Sequence, residues 1–136
     1  MVKRRPDWPA RLHGFVEARR HMPFAWGKHD CCIFAAGAVA EMTGVEMVEA
    51  PDYTTALGAA RALGRLGHRD VVDLASAYLR PWQSLLMARR GDIAALDAGQ
   101  GLSLGVVLGA SVAAPGEQGL IFFPLNRAVK AWRAGD

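Results

Sequence analysis

Between Asp30 and Glu41 the chain carries no charged residue, and Cys31-Cys32-Ile33-Phe34-Ala35-Ala36-Gly37-Ala38-Val39-Ala40 is small or apolar throughout. A helix of that composition has no wet face, so the rest of the domain must enclose it on most sides. Asp30 supplies an N-cap, and Thr43-Gly44 a stop, which predicts a buried central helix over Cys31–Met42. The run is about half the ~20 residues needed to cross a bilayer, so it is no membrane span. Gly37 lowers helix stability unless something requires it, and is read as a point where another backbone approaches closely.

The elements that enclose this helix follow from spacing. Asp7-Trp8-Pro9 reads as an N-cap with proline in the first turn, and Trp8, Leu12, Phe15 and Val16 recur at helical intervals, giving a helix over Trp8–Arg20. Pro23 and Phe24-Ala25-Trp26-Gly27 end it in an extended aromatic loop. Pro51-Asp52-Tyr53 marks a loop, Thr54 or Thr55 caps a third helix running to Gly67, and a fourth fits Asp70–Arg80. From Arg90-Gly91-Asp92 onward, short apolar runs alternate with turn residues, predicting strands over 92–96, 103–108, 111–114, 120–123 and 129–133. Such short turns predict antiparallel, meander-like pairing. Helices first and strands after make an α+β fold, with a helical N-terminal half and a C-terminal antiparallel sheet. With 136 residues, 51% of them hydrophobic, one domain over 1–136 is expected.

Charge is unevenly spread. Residues 1–30 hold seven Lys and Arg against three acids, a net +4, while the remainder is net −1. Aromatic residues are not interleaved with these charges as in a nucleic-acid groove, so the basic segment reads as a solvated helix face, and no nucleic-acid partner is expected. Met1-Val2-Lys3-Arg4-Arg5 leads into Pro6-Asp7-Trp8-Pro9 without an apolar stretch, so no secretory signal is read and the expected site of synthesis is the cytoplasm. Adjacent Cys31 and Cys32 are poorly placed to bridge each other, since the ring would be strained. They also lack the spacing and the further ligands of a zinc site. Neither a metal nor a cofactor is expected.

What remains for Cys31 is nucleophilic chemistry. A thiol at a helix N-terminus is readily made a thiolate by the positive end of the helix dipole. Trp26-Gly27, then Asp30-Cys31, then Gly91-Asp92-Ile93, then Leu104-Gly105-Val106 stand in the order found in the NlpC-type cell-wall peptidases, a branch of the papain-like superfamily. The chain resembles that family over roughly Phe24 to Phe123. The resemblance implies a papain-like fold, Cys31 at the nucleophile position, and Trp26, Gly27 and Asp30 shaping the loop beside it. Trp26-Gly27-Lys28-His29-Asp30-Cys31-Cys32, Ala88-Arg89-Arg90-Gly91-Asp92 and Ala131-Trp132-Arg133 are similar to a branch of short domains encoded among bacteriophage tail genes. That branch implies bacterial synthesis, a virion or tail-assembly setting, and other tail proteins as partners. It makes Arg90-Gly91-Asp92 the start of a strand, not an adhesion motif.

One departure decides the expected chemistry. Where the peptidases place the catalytic histidine, this chain has Ser103, and where the residue orienting that imidazole would lie it has Ile121-Phe122-Phe123. Serine accepts no proton near neutral pH and phenylalanine orients no ring. His29, two residues before Cys31, is the remaining candidate partner, against the geometric difficulty of folding back onto the thiol. Cys32 reads as a small buried residue. The expectation is a degenerate papain-like domain with a structural or assembly role; the alternative is an active cysteine peptidase or amidase that cuts peptidoglycan peptides through Cys31.

Overall fold

The computed structural model describes residues 2–47, 52–99 and 101–136. Four helices come first: α1 (Trp8–Arg19), α2 (Cys31–Thr43), α3 (Ala56–Arg65) and α4 (Val71–Tyr78). Six strands follow: β1 (Arg80–Pro81), β2 (Ile93–Asp97), β3 (Leu102–Val107), β4 (Ser111–Gly116), β5 (Gly119–Pro124) and β6 (Ala128–Arg133). The fold is α+β. One sheet runs in the order β1-β6-β2-β3-β4-β5 with every pair antiparallel.

The expected meander holds from β2 to β5 and fails at β6, which returns to pair with β2. Burial accounts for the return, since Ala128, Ala131 and Trp132 on β6 are buried there, whereas the other flank of β5 is exposed. In a flat sheet β5 and β6 would stand four strand spacings apart, about 19 Å. Only Leu125–Arg127 separates the end of β5 from the start of β6, and four residue steps reach roughly 14 Å. The sheet is therefore curled. Ala94, Leu96, Val107, Val112, Ala128 and Ala131 form one apolar cluster of this sheet, flanked by Trp82, Leu85 and Phe123. A second cluster joins sheet to helices through Leu12, Phe15, Phe34, Met42, Leu104 and Trp132.

α2 is the buried element that its composition predicts, with Phe34, Ala35, Ala36, Ala38, Val39 and Met42 all buried. Gly44, at φ +83°, closes it in the left-handed conformation that favours glycine. The close approach at Gly37 is made by a side chain, not a backbone: a Cβ there would lie 2.8 Å from the Phe15 ring of α1. Asp7 precedes α1, but its carboxylate caps nothing; it accepts instead from Arg11 Nε at 2.9 Å. Thr55, and not Thr54, caps α3 by accepting from the Gly58 N–H. The expected loop lies outside the described residues at Pro51. α4 stops at Tyr78, short of Arg80, because Pro81 disfavours helical backbone before it, and Arg80–Pro81 pair with β6.

Asp92 ties the N-terminal segment to the sheet. Wholly buried, it accepts from Arg4 Nη2 (2.8 Å), Trp82 Nε1 (2.8 Å), and the backbone N–H groups of Arg89 (2.9 Å) and Ala134 (3.1 Å). Arg4 also donates to the carbonyls of Ala134 and Arg90, at 3.0 and 2.7 Å. A carboxylate enclosed in this way offers nothing to a receptor, consistent with Arg90-Gly91-Asp92 being a structural turn.

Candidate functional site around Cys31

Asp30 organises the loop in front of α2. Its extended backbone places Oδ1 3.0 Å from the Ile33 N–H, capping the helix. Oδ2 accepts from the Gly27 N–H at 3.1 Å and from the Tyr53 hydroxyl at 2.6 Å. Gly27 has φ +79°, and a Cβ on it would overlap the Tyr53 carbonyl oxygen. Glycine is thus required twice over, for conformation and for room. Trp26 packs edge-on against Phe24 with centroids 4.8 Å apart, and the loop closes through a backbone bridge between Ala25 and His29. Burial, and then its bond to the Asp30 carboxylate, push the Tyr53 hydroxyl well above the ordinary phenol range.

Cys31 and Cys32 open α2 as free, half-buried thiols. A hydrogen bond with Cys32 is the largest influence on Cys31 and draws its thiol below the ordinary cysteine value. Burial opposes that shift, the Leu104 backbone N–H supports it, the Asp30 charge opposes it, and the Ser103 hydroxyl supports it. Cys32 is pushed well above the ordinary value, first by its bond with Cys31 and then by burial. The two thiols therefore do not ionise independently: a thiolate on one favours a retained proton on the other.

Ser103 of β3 is among the groups that act on the Cys31 thiol. No histidine is among the groups acting on the Cys31 thiol in the described residues. His29 is only 2% exposed, its ring stands edge-on to Phe34 at 5.8 Å, and its Nε2 has no hydrogen-bond partner. Burial, and then the Arg19 charge, lower its affinity for a proton, with Asp30 opposing. His29 is thus a neutral wall of the core and makes no hydrogen bond to the thiol through Nε2.

Ile121-Phe122-Phe123 stand away from β3. β5 pairs only with β4, so Ile121-Phe122-Phe123 lie one strand farther out than the neighbour of β3. β3 lies between β2 and β4: Ser111–Gly116 of β4 contains no titratable side chain, and β2 carries Asp97, exposed and opposite Leu102. Tyr53 and the Leu104 N–H were not singled out in the sequence. Tyr53 reaches Asp30 across 23 positions, and a backbone N–H leaves no signature in residue type.

Nearly the whole chain is matched by a family model described as "Domain of unknown function (DUF6950)", over residues 3–134. The chain belongs to this family. The DUF6950 match takes in all four helices and all six strands, and with them Asp30, Cys31, Tyr53 and Ser103. Comparison with curated proteins found no match. No helix among the described residues is long and apolar enough to cross a membrane.

Proposed function

We propose that this DUF6950 domain is a papain-like domain of NlpC type that has lost peptidase chemistry and serves as a structural or assembly component of a phage or phage-like tail. The observation that carries the loss of chemistry is that the groups favouring the Cys31 thiolate are Cys32, the Leu104 N–H and Ser103, a hydroxyl where the peptidases hold an imidazole. Peptide cleavage needs a group that removes the thiol proton and then delivers one to the leaving amine. Serine does neither near neutral pH, and His29 Nε2, buried without a hydrogen-bond partner, does not hold the thiol. Deleting the base from such a constellation removes several orders of magnitude in rate. The tail setting rests on the Trp26-to-Cys32, Ala88-to-Asp92 and Ala131-to-Trp132-to-Arg133 patterns, and it makes other tail proteins the partners and the virion the destination after synthesis in the bacterial cytoplasm.

A second reading, an active peptidase or amidase acting on peptidoglycan, draws support from one observation. The Cys31 thiol is drawn below its ordinary value, as a nucleophile's would be. Genetic complementation separates the two. Cys31→Ser keeps a small polar side chain at the helix start, so a purely structural domain should assemble particles at wild-type yield and infectivity, with the chain present in purified tails. A soluble Cys31→Ser protein that fails to support infection would return catalysis to first place. Absence of the chain from purified particles would refute the tail assignment.

A further inference from the structure

β5 is an open edge of the sheet, and its backbone pairing shows which of its groups are free. Pro115, opposite Leu120, has no N–H, and the Leu120 N–H donates outside the sheet to the Arg20 carbonyl at 2.8 Å. Leu120 and Pro115 therefore form a non-hydrogen-bonded pair, and antiparallel alternation puts Phe122 with Ala113, and Pro124 with Ser111, in the same class. The Phe122 N–H, the Phe122 carbonyl and the Pro124 carbonyl all point away from β4, and no backbone partner takes the Phe122 N–H among the described residues. Ile121 is 46% exposed and Phe122 40% exposed.

Exposed edges are ordinarily blunted by charged residues, bulges or short length. At the opposite edge β1 has only two residues, one of them proline. β5 has six, none charged, with unbroken register against β4 and a proline only at its last position. Cations flank this edge. Arg20 lies 5.1 Å from the Phe122 ring and Arg127 lies 5.1 Å from the Phe123 ring. Successive side chains of a strand point to opposite faces, so each face of the edge carries one guanidinium. Arg20 already binds Glu17 at 2.9 Å, while Arg127 donates to the Asp97 carbonyl and has no carboxylate partner among the described residues.

We propose that the β5 edge binds an extended segment of a partner protein carrying two consecutive acidic residues, which adds a seventh strand to the sheet. One partner residue exchanges both backbone hydrogen bonds with Phe122, a second donates to the Pro124 carbonyl, and the two carboxylates meet Arg20 and Arg127 on opposite faces. A second copy of this chain is a poorer occupant, because symmetric pairing of two β5 edges would bring like guanidiniums together. The proposal does not depend on the state of Cys31 or on the tail setting.

The test uses the full chain and a fluorescent, end-blocked hexapeptide Thr-Val-Glu-Glu-Val-Thr, with Lys-Lys in place of Glu-Glu as control, read by anisotropy. The acidic peptide should bind saturably and the basic one should not. Phe122→Pro removes the free donor and should abolish binding, with a thermal melt confirming that the variant folds. Arg127→Ala leaves the backbone intact and should weaken binding about two- to five-fold, less so at high salt. The proposal is overturned if the acidic peptide fails to bind at millimolar concentration, or if it binds the folded Phe122→Pro and Arg127→Ala proteins as it does wild type. It is equally overturned if the chain alone forms a concentration-dependent dimer that Phe122→Pro dissolves.

Discussion

Asp30 accepts three hydrogen bonds while sitting between a helix start and a tyrosine, and each can be probed alone. Tyr53→Phe removes one donor to a carboxylate and should cost about 1.5–3 kcal/mol in a denaturant titration, with α2 still capped through Ile33. Gly27→Ala meets both a positive φ and the Tyr53 carbonyl, so it should cost at least about 1–2 kcal/mol from backbone strain alone. His29 carries a pH dependence. Its folded value lies below the ordinary 6.5, because burial and Arg19 disfavour its charged form. As pH falls through 6.5 the unfolded chain takes up a proton that the folded chain refuses. Stability is therefore full above that pH and declines toward the lowered folded value. Urea midpoints at pH 7.5 and 5.5 should diverge for the wild type, and His29→Leu should reduce the difference. An unchanged difference would mean that His29 is not the group responsible.

At the scale of elements, Asp92 links the N-terminal segment, the turn before β2 and the chain end, so its loss should be felt everywhere. Asp92→Ala leaves Arg4 buried without its partner and should cost about 3–5 kcal/mol, measured as a shift in denaturant midpoint. Nothing in residue type announced that cluster, because Arg4 and Asp92 are 88 positions apart and each reads as surface charge. α2 was legible because its cap, its charge-free run and its glycine stop all agree locally. β2 to β5 were legible for the same reason, since tight turns fix which strand meets which. β6 was not: its return to β2 is decided by burial of Trp132 and by curling of the sheet. Strand order alone puts Phe122 and Phe123 two strands away from β3. The influence of Ser103 on Cys31 leaves no sign in residue type or local spacing.

For the whole molecule, α2 delivers a thiol to the start of β3, and the loop from Trp26 to Asp30 is locked over it by Tyr53. The proposed loss of peptidase chemistry rests on what meets that thiol there. A thiolate held by an imidazolium stays ionised and reactive far into the acid range, whereas a thiol supported only by hydrogen bonds titrates in one step. The most direct measurement is the rate of iodoacetamide alkylation of Cys31 in the wild-type chain as a function of pH, followed by tandem mass spectrometry that separates Cys31 from Cys32. The degenerate reading predicts a single rise with its midpoint below 9, the ordinary thiol value, and a rate that falls away steadily at lower pH. A reactive plateau persisting at pH 5 would reveal an ion pair at Cys31 and contradict it.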